Sequence, residues 1–459
     1  MRRVRSVTVR VACAQIRARP LARADRALAD VVAAVSAAAA KGADIVVLPE
    51  CAYPGYVLLK RNPFRGIPSA AFALRAIADA ARRCEVNVCV GIALPGGRGG
   101  LRNEAVFIDR RGEEAARYAK FYLWNFDTFW FERGTSVPVF ESEFGRLGMM
   151  ICADGRMPEI ARTLALRGAW LILDPTAWVA FGPSYDRMRN PQVDYMMRVR
   201  ARENGVSIAA ADKCGSENFA VNYVGQSMVV TPDGDIAALA AADRPALIVA
   251  DVQRREPRPV VVSLTAAQRR TLGTVRRRRR RVRRSQFRLG VLQGPMKRAE
   301  RAIARATLVV QSVDALIETA ASARSVKLSL PAKLAAMSSV LAGPALLAPE
   351  PARAAALDGA EIVIWAQPPR DERVRDYART RALENKVYVV VCARASDATP
   401  ACVVDPAGNV VTEARAGAPS GFVAKLELAR ARDKSVVPGT DALAGRIPRA
   451  FCLPASDGS

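Results

Sequence analysis

The sequence predicts an α/β fold whose sheets are covered by helices, followed by a shortened second copy of the same pattern. Two observations lead to this fold class. Apolar strand-like segments alternate with helix-like segments from the N-terminus to about residue 255. Several of these segments then recur in the same order beyond residue 288. Because the strand segments are rather apolar, we expect helices to cover the sheets.

The predicted strands of the first copy are short aliphatic runs that end at turn residues. They are Val7–Gln15, Ile45–Leu48, Val86–Leu94, Asn103–Ile108, Ala115–Tyr118, Leu147–Ile151, Trp170–Asp174, Ser207–Asp212, Ser227–Val230 and Leu247–Val252. The predicted helices are Leu21–Ala40, Ser69–Arg83 and Pro158–Arg167. Gly42 suits the end of the first helix, and Pro158 suits the first turn of the third.

The composition indicates a cytoplasmic protein without disulfide bonds. No run approaches the ~20 apolar residues that a membrane-spanning helix needs, and Arg10 interrupts what could otherwise be a signal-peptide stretch. The nine cysteines are odd in number and irregularly spaced, which argues against a disulfide framework. With no histidine and no Cys-x-x-Cys pair, the chain also lacks the usual zinc-ligand patterns.

The net charge of +25 is concentrated in part in one arginine run, Arg276–Arg284. This run has no interleaved aromatic residues, so a solvated basic linker at residues 256–288 is the favoured interpretation. Contact of the run with nucleic acid or another anionic surface stays open as an alternative.

An internal repeat divides the chain into a first domain at residues 1–255, the linker, and a second domain at residues 289–459. Leu166–Leu173 recurs as Leu357–Ile364, Arg198–Val206 as Arg379–Val387, and Val230–Gly234 as Val404–Gly408. The second copy is shorter than the first and is therefore predicted to be a degenerate relative of it.

The copies differ where reactive side chains would be expected. Alignment places Ala332 opposite Glu50 and Gly343 opposite Cys152, and it leaves no counterpart of Lys120. Since packing positions persist while these three groups are lost together, we predict that they form one functional set and that the second domain is catalytically inactive.

Cys152 directly follows an apolar strand segment, and no histidine is present to activate it. If the predicted strand ends converge, Glu50 can act as general base for the thiol. Lys120 would favour the thiolate and stabilise a developing oxyanion, with the backbone N–H of Ala153 as a second donor. Taken singly, a buried core thiol is the more common role for such a cysteine.

Three motifs in order carry a resemblance to a known family. Leu48-Pro-Glu50, Tyr118-Ala-Lys120 and Ile151–Glu159 resemble the nitrilase, or carbon–nitrogen hydrolase, superfamily over most of the first domain. The resemblance implies an αββα sandwich that commonly dimerises through its helices. It also implies that Glu50 is the base, that Lys120 stabilises the tetrahedral intermediate, and that Cys152 forms a covalent acyl-enzyme. No metal or organic cofactor is needed for this chemistry.

One position departs from the family pattern. Many members carry a second glutamate four residues before the phenylalanine of a Phe-x-x-Gly segment, and Asp127 stands there ahead of Phe131–Gly134. Its carboxylate would sit about 1.5 Å further back unless the backbone compensates. A catalytic helper and a structural residue remain equally open roles for Asp127.

The residues after the cysteine favour one branch of the family. Ala153-Asp-Gly155 is similar to amidases and carbamoyl-amino-acid hydrolases, whereas true nitrilases typically have Trp-Glu there. Arg156 stands where carbamoylases use an arginine against a substrate carboxylate. Trp178, together with Trp124 and Trp130, is a candidate pocket residue, although core burial would explain these tryptophans as well.

The sequence therefore predicts a thiol amidohydrolase for a small amide or N-carbamoyl compound. Nitrile hydrolysis and N-acyl transfer by the same residues are the alternatives among enzymes. A non-catalytic scaffold or binding protein, or a nucleic-acid-associated protein, are alternatives of another class. We expect no membrane partner, and either a homo-oligomer or an intrachain pseudo-dimer in which the second domain replaces a partner subunit.

Overall fold

A computed structural model describes residues 7–59, 63–97, 99–180, 188–218, 221–274, 286–293, 315–318, 332–393, 397–416 and 420–455. The chain divides into two units. The first comprises Met1–Pro259 with two later segments, Val437–Thr440 and Ala450–Pro454. The second comprises Val260–Val436, Asp441–Arg449 and Ala455–Ser459.

The strands of the first unit are β1 Thr8–Arg17, β2 Ile45–Val47, β3 Asn87–Pro95, β4 Leu101–Ile108, β5 Glu114–Ala119, β6 Val139–Ser142, β7 Gly145–Met149, β8 Leu171–Pro175, β9 Val179–Ala180, β10 Ser207–Ala211, β11 Lys213–Glu217, β12 Val221–Val224, β13 Met228–Val230, β14 Ile236–Leu239 and β15 Ala246–Gln253. Its helices are α1 Ala24–Ala40, α2 Ala70–Cys84, α3 Asp127–Trp130, α4 Pro158–Leu166 and α5 Met197–Asn204.

These strands form two sheets packed face to face between two helical layers. One sheet has the order β5-β4-β3-β2-β1-β11-β12-β9, with β15 antiparallel to β1, and the other has the order β14-β13-β10-β8-β7-β6. Strands β1, β2 and β3 contact β8 and β10 of the opposite sheet. Helices α1 and α2 pack on the first sheet, while α4 and α5 pack on the second. The unit is therefore the expected αββα sandwich.

Each strand and helix predicted for this unit is present, and no end differs from its predicted position by more than three residues. Ser69 caps α2 by accepting a hydrogen bond from the Phe72 N–H at 3.2 Å, as its position before the helix predicts. The sequence analysis did not predict β6, β9, β11, β12, β14, α3 or α5. Most of these strands are short or carry polar residues, so their hydrophobic alternation is weak.

The second unit contains a three-stranded and a five-stranded sheet, with the orders β17-β16-β23 and β18-β19-β20-β21-β22. These strands are β16 Gln286–Gln293, β17 Ala315–Glu318, β18 Ser338–Ala342, β19 Ile362–Ala366, β20 Tyr388–Cys392, β21 Cys402–Val404, β22 Val410–Glu413 and β23 Ser420–Glu427. Its helices are α6 Ala266–Leu272, α7 Ala332–Ala335, α8 Glu350–Leu357, α9 Val374–Asn385 and α10 Leu428–Arg432. A short two-stranded pair, β24 Ser435–Val437 and β25 Thr440–Asp441, follows near the end of the chain.

The region predicted as a basic linker, residues 256–288, contains α6 and the start of β16. Its arginine run Arg276–Arg284 lies outside the described residues. None of the helices in the described part of the chain has the length and apolar character needed to cross a bilayer.

Gly91 in β3 lies directly against the chain that leaves β2. Its N–H donates to the Pro49 carbonyl at 3.2 Å, and its carbonyl accepts from the Ala52 N–H at 2.8 Å. A Cβ atom at this position would lie 2.5 Å from Glu50 Cα. The backbone of Glu50 can therefore approach β3 this closely because residue 91 has no side chain.

We expect Gly91→Ala to lower the free energy of unfolding by about 3 kcal/mol, the upper end for overpacking, because the obstructing atoms are backbone. Urea unfolding followed by circular dichroism measures this loss. Gly97→Ala is the matched control, since a Cβ there would meet Arg102 Nη2 at 4.0 Å. Identical midpoints for the two variants would contradict the steric argument.

Candidate active site

Glu50 stands two residues beyond Leu48, where β2 has ended, and its side chain is fully buried. Its Oε1 accepts hydrogen bonds from Asn103 Nδ2 at 2.6 Å and from Lys120 Nζ at 2.5 Å. Its Oε2 is buried with no hydrogen-bond partner among the described residues. One carboxylate oxygen is thus held in place, while the other can accept a proton.

Lys120 follows β5 and is also fully buried. Its N–H donates to the Asn103 carbonyl and its own carbonyl accepts from the Gly134 N–H, each at 2.8 Å. Its ammonium bonds Glu50 and, at 2.6 Å, Asp127 Oδ2. Burial lowers the pKa of Lys120, but the charges of Asp127 and Glu50 outweigh this effect and hold the pKa well above its usual value.

Asp127 begins the short helix α3, and the structure brings it to the lysine despite its shorter side chain. Besides Lys120, its Oδ2 accepts a hydrogen bond from the Trp124 N–H at 2.9 Å. Two carboxylates therefore share one ammonium group inside a fully buried cluster. The structure places both Glu50 and Asp127 in direct contact with Lys120.

Cys152 lies on a strained turn after β7. Its φ of +47° is in the left-handed region, which costs a non-glycine residue about 1–2 kcal/mol. Its N–H donates to Asp174 Oδ1 at 2.9 Å, and its carbonyl accepts from Gln192 Nε2 at 2.7 Å. Cys152 is 6% exposed, and its Sγ lies 3.5 Å from the Ala177 carbonyl oxygen. Hydrogen bonds on both sides thus hold the turn in this conformation.

Asp154, two residues after Cys152, connects the same turn to β5, the strand that ends just before Lys120. Its carboxylate accepts from the Tyr118 hydroxyl at 2.7 Å, the Tyr122 N–H at 2.8 Å and the Ile151 N–H at 3.0 Å. Burial raises the pKa of Asp154 to about 6, although these hydrogen bonds oppose the rise. The cysteine turn and the lysine strand are therefore one connected structure.

Burial also shifts the pKa values of Glu50 and of the Cys152 thiol. It raises the pKa of Glu50, and the charge of Asp127 adds to this rise, while Lys120 opposes it. Burial and the charge of Glu50 raise the pKa of the Cys152 thiol, and Lys120 opposes this rise as well. The resting thiol is thus protonated, next to a carboxylate whose affinity for a proton is increased.

Arg156 lies in the same one-turn helix as the cysteine, Cys152–Arg156. Its Nε donates to Gln192 Oε1 at 3.0 Å and its Nη2 to Asn190 Oδ1 at 3.4 Å. Its guanidinium stacks 4.5 Å from the ring centre of Trp124, and burial lowers its pKa. These contacts are neutral, and no carboxylate of the described residues pairs with Arg156.

The remaining predicted residues occupy two environments. Ala153 follows Cys152 at the start of the one-turn helix, where the first N–H groups have no partner within the helix. Trp178 is fully buried, and its Nε1 has no hydrogen-bond partner among the described residues. Trp130 is half-buried and packs against Phe126.

The side chains that hold the reactive groups in place were not predicted from the sequence. Asn103 binds Glu50, Asp174 binds the Cys152 backbone, and Gln192 binds both that backbone and Arg156. The internal repeat could have indicated Asp174. This residue aligns with Trp365 at the end of the recurring strand, so its carboxylate is absent from the second copy, as the reactive groups are. Asn103 and Gln192 lie outside the repeated segments, so no such comparison could identify them.

A cysteine on a strained turn beside a buried glutamate and lysine, at one edge of an αββα unit, defines a class of hydrolase that acts through a thiol. The family model for carbon-nitrogen hydrolases matches residues 10–260, which is more than half of the chain. The chain therefore belongs to the carbon-nitrogen hydrolase family.

Individual relatives are similar to about half of the chain. A protein named nitrilase from Pyrococcus abyssi is 32% identical over 223 residues, which cover 48% of this chain and 80% of the relative. A deaminated glutathione amidase from Synechocystis is 30% identical over 234 residues, covering 48% and 82%. The crystal structure of an amidase from Nesterenkonia sp. is 30% identical, covers 53% of this chain and 89% of its own, and has a TM-score of 0.47.

Proposed function

We propose that this carbon-nitrogen hydrolase is a thiol amidohydrolase in which Cys152, Glu50 and Lys120 carry the reaction. The observation that carries the proposal is the buried Glu50–Lys120 pair, whose charges act on the Cys152 thiol. The substrate is a small amide or N-carbamoyl compound.

In the acylation step, Cys152 Sγ attacks the carbonyl carbon while the thiol proton passes to Glu50, whose Oε2 has no other partner. Negative charge develops on the carbonyl oxygen, where the Lys120 ammonium and the Ala153 N–H stabilise it. The C–N bond then breaks as Glu50 returns the proton to the departing nitrogen. The products of this step are a thioester on Cys152 and ammonia or an amine.

In the deacylation step, Glu50 takes a proton from a water molecule that attacks the thioester carbonyl. The tetrahedral intermediate uses the same two donors, and its collapse releases the carboxylic acid and the Cys152 thiolate. The thiolate recovers its proton from Glu50. The net reaction is an amide plus water giving an acid plus ammonia or an amine.

The contacts of Arg156 favour a substrate that carries a carboxylate. Its half-buried guanidinium has only neutral partners among the described residues, so its charge has no counter-ion there. Burying an unpaired charge is unfavourable, and a carboxylate can accept two parallel hydrogen bonds from a guanidinium. We therefore propose that Arg156 binds a substrate carboxylate near Cys152, with Trp178 contributing to the pocket wall.

Nitrile hydrolysis is the second candidate, because the same residues can attack a nitrile carbon and one relative is named nitrilase. Ala153 and Asp154 stand where true nitrilases typically carry Trp-Glu, which favours the amide.

We further propose that the second unit is a degenerate copy of the first. In the first unit, Arg200 Nε and Nη2 bind the carbonyls of Gly155 and Arg156, while Nη1 binds Glu203. In the second, Arg381 binds the carbonyls of Leu346 and Leu347 and the carboxylate of Glu384 with the same three nitrogens.

The turn at Gly343 supports this proposal. Gly343 has a φ of +56°, close to the +47° of Cys152, but it has no thiol. Trp365 stands at the position of Asp174, and its Nε1 donates to the Gly343 carbonyl at 2.8 Å. The second unit therefore retains the scaffold of the turn without its nucleophile.

Cys152→Ala in the full chain should lower turnover by at least roughly 10⁴-fold, because both the nucleophile and the covalent route are lost. The measurement is ammonia release from amides, carbamoyl amino acids and nitriles, with intact mass spectrometry for an acyl adduct. Cys84→Ala is the control, since this half-buried thiol lies in α2. Equal turnover by wild type and Cys152→Ala would contradict the role of Cys152, and an acyl adduct on the second unit would contradict the proposal that this unit has lost its nucleophile.

Asp127→Asn should move the acid limb of the pH profile of kcat/KM to lower pH. Glu50 must be ionised to act as base, and the charge of Asp127 raises the pKa of Glu50, so its removal lowers that pKa. The rate should also fall about 10–100-fold, as expected when a hydrogen bond to a charged group is lost. Asp127→Glu, which keeps the charge, is the control. An unmoved acid limb would show that Asp127 does not act on the base.

Arg156→Gln should lower kcat/KM for succinamate by about 100-fold, the size of a lost charge-assisted pair, and mainly through KM. Hydrolysis of neutral butyramide should change by less than about 3-fold, because this substrate has no carboxylate. Arg198→Gln is the matched control, since this half-buried arginine donates to the Gly234 carbonyl. Equal losses on both substrates would indicate a structural role for Arg156.

A further inference from the structure

Two segments from the end of the chain are built into the first unit. Val437–Thr440 and Ala450–Pro454 group with it by contact, although the family match ends at residue 260. Their contacts include residues of the stretch Phe121–Thr128. That stretch begins one residue after Lys120 and contains Asp127, so the late segments touch the part of the site that carries the second carboxylate.

Thr440 holds this stretch through a single hydroxyl group. Its Oγ1 donates to the Leu123 carbonyl at 2.6 Å and accepts from the Asn125 N–H at 3.4 Å. Thr440 is 5% exposed, so water competes little for these bonds. Asn125 has a φ of +48°, a conformation that persists where surrounding contacts support it. One side chain therefore binds the residues on both sides of Trp124.

The neighbouring residues of the two segments add packing. A Cβ on Gly439 would lie 3.2 Å from Thr128 Cγ2, so the chain passes close to α3. The ring of Phe451 packs 5.1 Å from that of Phe121, centre to centre. The Cys452 N–H donates to Thr163 Oγ1 at 3.0 Å and fastens this segment to α4.

Trp124 connects the stretch Phe121–Thr128 to the residues of the candidate active site. Its N–H bonds Asp127 Oδ2, which in turn bonds Lys120 Nζ. Its ring lies under the guanidinium of Arg156. A shift of Trp124 would therefore displace both the carboxylate beside the lysine and the support of the arginine.

We propose that Val437–Thr440 and Ala450–Pro454 form a clasp on the catalytic unit, with Thr440 as a positioning residue that fixes Trp124 and Asp127. The clasp lies outside residues 10–260, which the family match covers. The inference rests on the proposed function for its turnover readout alone. A displacement of about 1 Å at such a site can lower a rate on the order of 100-fold.

The experiment uses three variants of the full chain. Thr440→Val keeps the shape but removes the hydroxyl, and Thr440→Ser keeps the hydroxyl. Thr231→Val is the matched control, because Thr231 Oγ1 accepts from the Asp235 N–H in a turn that makes none of the site contacts above. We expect Thr440→Val to lower kcat/KM for succinamate about 10–100-fold, while Thr440→Ser and Thr231→Val stay within about 3-fold of wild type.

A second readout needs no hydrolysis. The rate at which iodoacetamide alkylates Cys152, followed by peptide mass mapping against pH, reports the pKa of the thiol. If Asp127 moves away from Lys120, the lysine charge is less neutralised, so the profile of Thr440→Val should shift to lower pH. The profiles of Thr440→Ser and Thr231→Val should match wild type.

The two readouts separate the proposals. If wild type hydrolyses no amide, the proposed function fails, and the alkylation profiles still decide on the clasp. The clasp is overturned if Thr440→Val retains both the wild-type turnover and the wild-type alkylation profile. It is also overturned if Thr440→Ser fails to restore them, or if the effect of Thr440→Val is confined to a lower melting temperature.

Discussion

The site depends on one buried ammonium group, that of Lys120, between the carboxylates of Glu50 and Asp127. Removing an ion from water costs several kcal/mol even after relaxation. Short charge-assisted hydrogen bonds at 2.5 and 2.6 Å offset that cost here. Because two negative charges meet one positive charge, burial still raises the pKa of Glu50. The arrangement that holds the lysine thus also makes the glutamate a stronger base.

The site joins the ends of strands from both sheets, because Glu50 and Lys120 follow β2 and β5 of one sheet and Cys152 follows β7 of the other. Glu50 approaches β3 at Gly91, where a side chain would collide with its backbone. Asp154 ties the Cys152 turn to Tyr118 on the lysine strand. Asp174 fixes the backbone of the same turn, while Asp127 binds both Lys120 and the Trp124 N–H. Rigid placement of this kind is what brings the thiol and its base within reach at small reorganisation cost.

Local pattern was sufficient to predict the central strands and the covering helices, and the motifs and the internal repeat singled out Glu50, Lys120 and Cys152 as candidate site residues. It was insufficient where a contact joins residues far apart in the chain. Nothing in the sequence around Thr440 indicates that its hydroxyl binds Leu123, because that bond spans 317 positions. The role of Asp127 depended on backbone position, which a shorter side chain alone could not reveal. The bond of 2.6 Å to Lys120 shows that the backbone compensates for the missing methylene.

The turns at Cys152 and Gly343 share the contacts that hold their backbone and differ in the side chain that they carry. Arg200 and Arg381 bind equivalent carbonyls just after Cys152 and Gly343, and both turns keep a positive φ. The second turn keeps this shape with glycine, for which it carries little strain. In the first unit, Cys152 adopts the same left-handed conformation, and the hydrogen bond from its N–H to Asp174 offsets the strain. The left-handed turn is therefore common to the two units, and the first unit places a thiol there at a cost in stability.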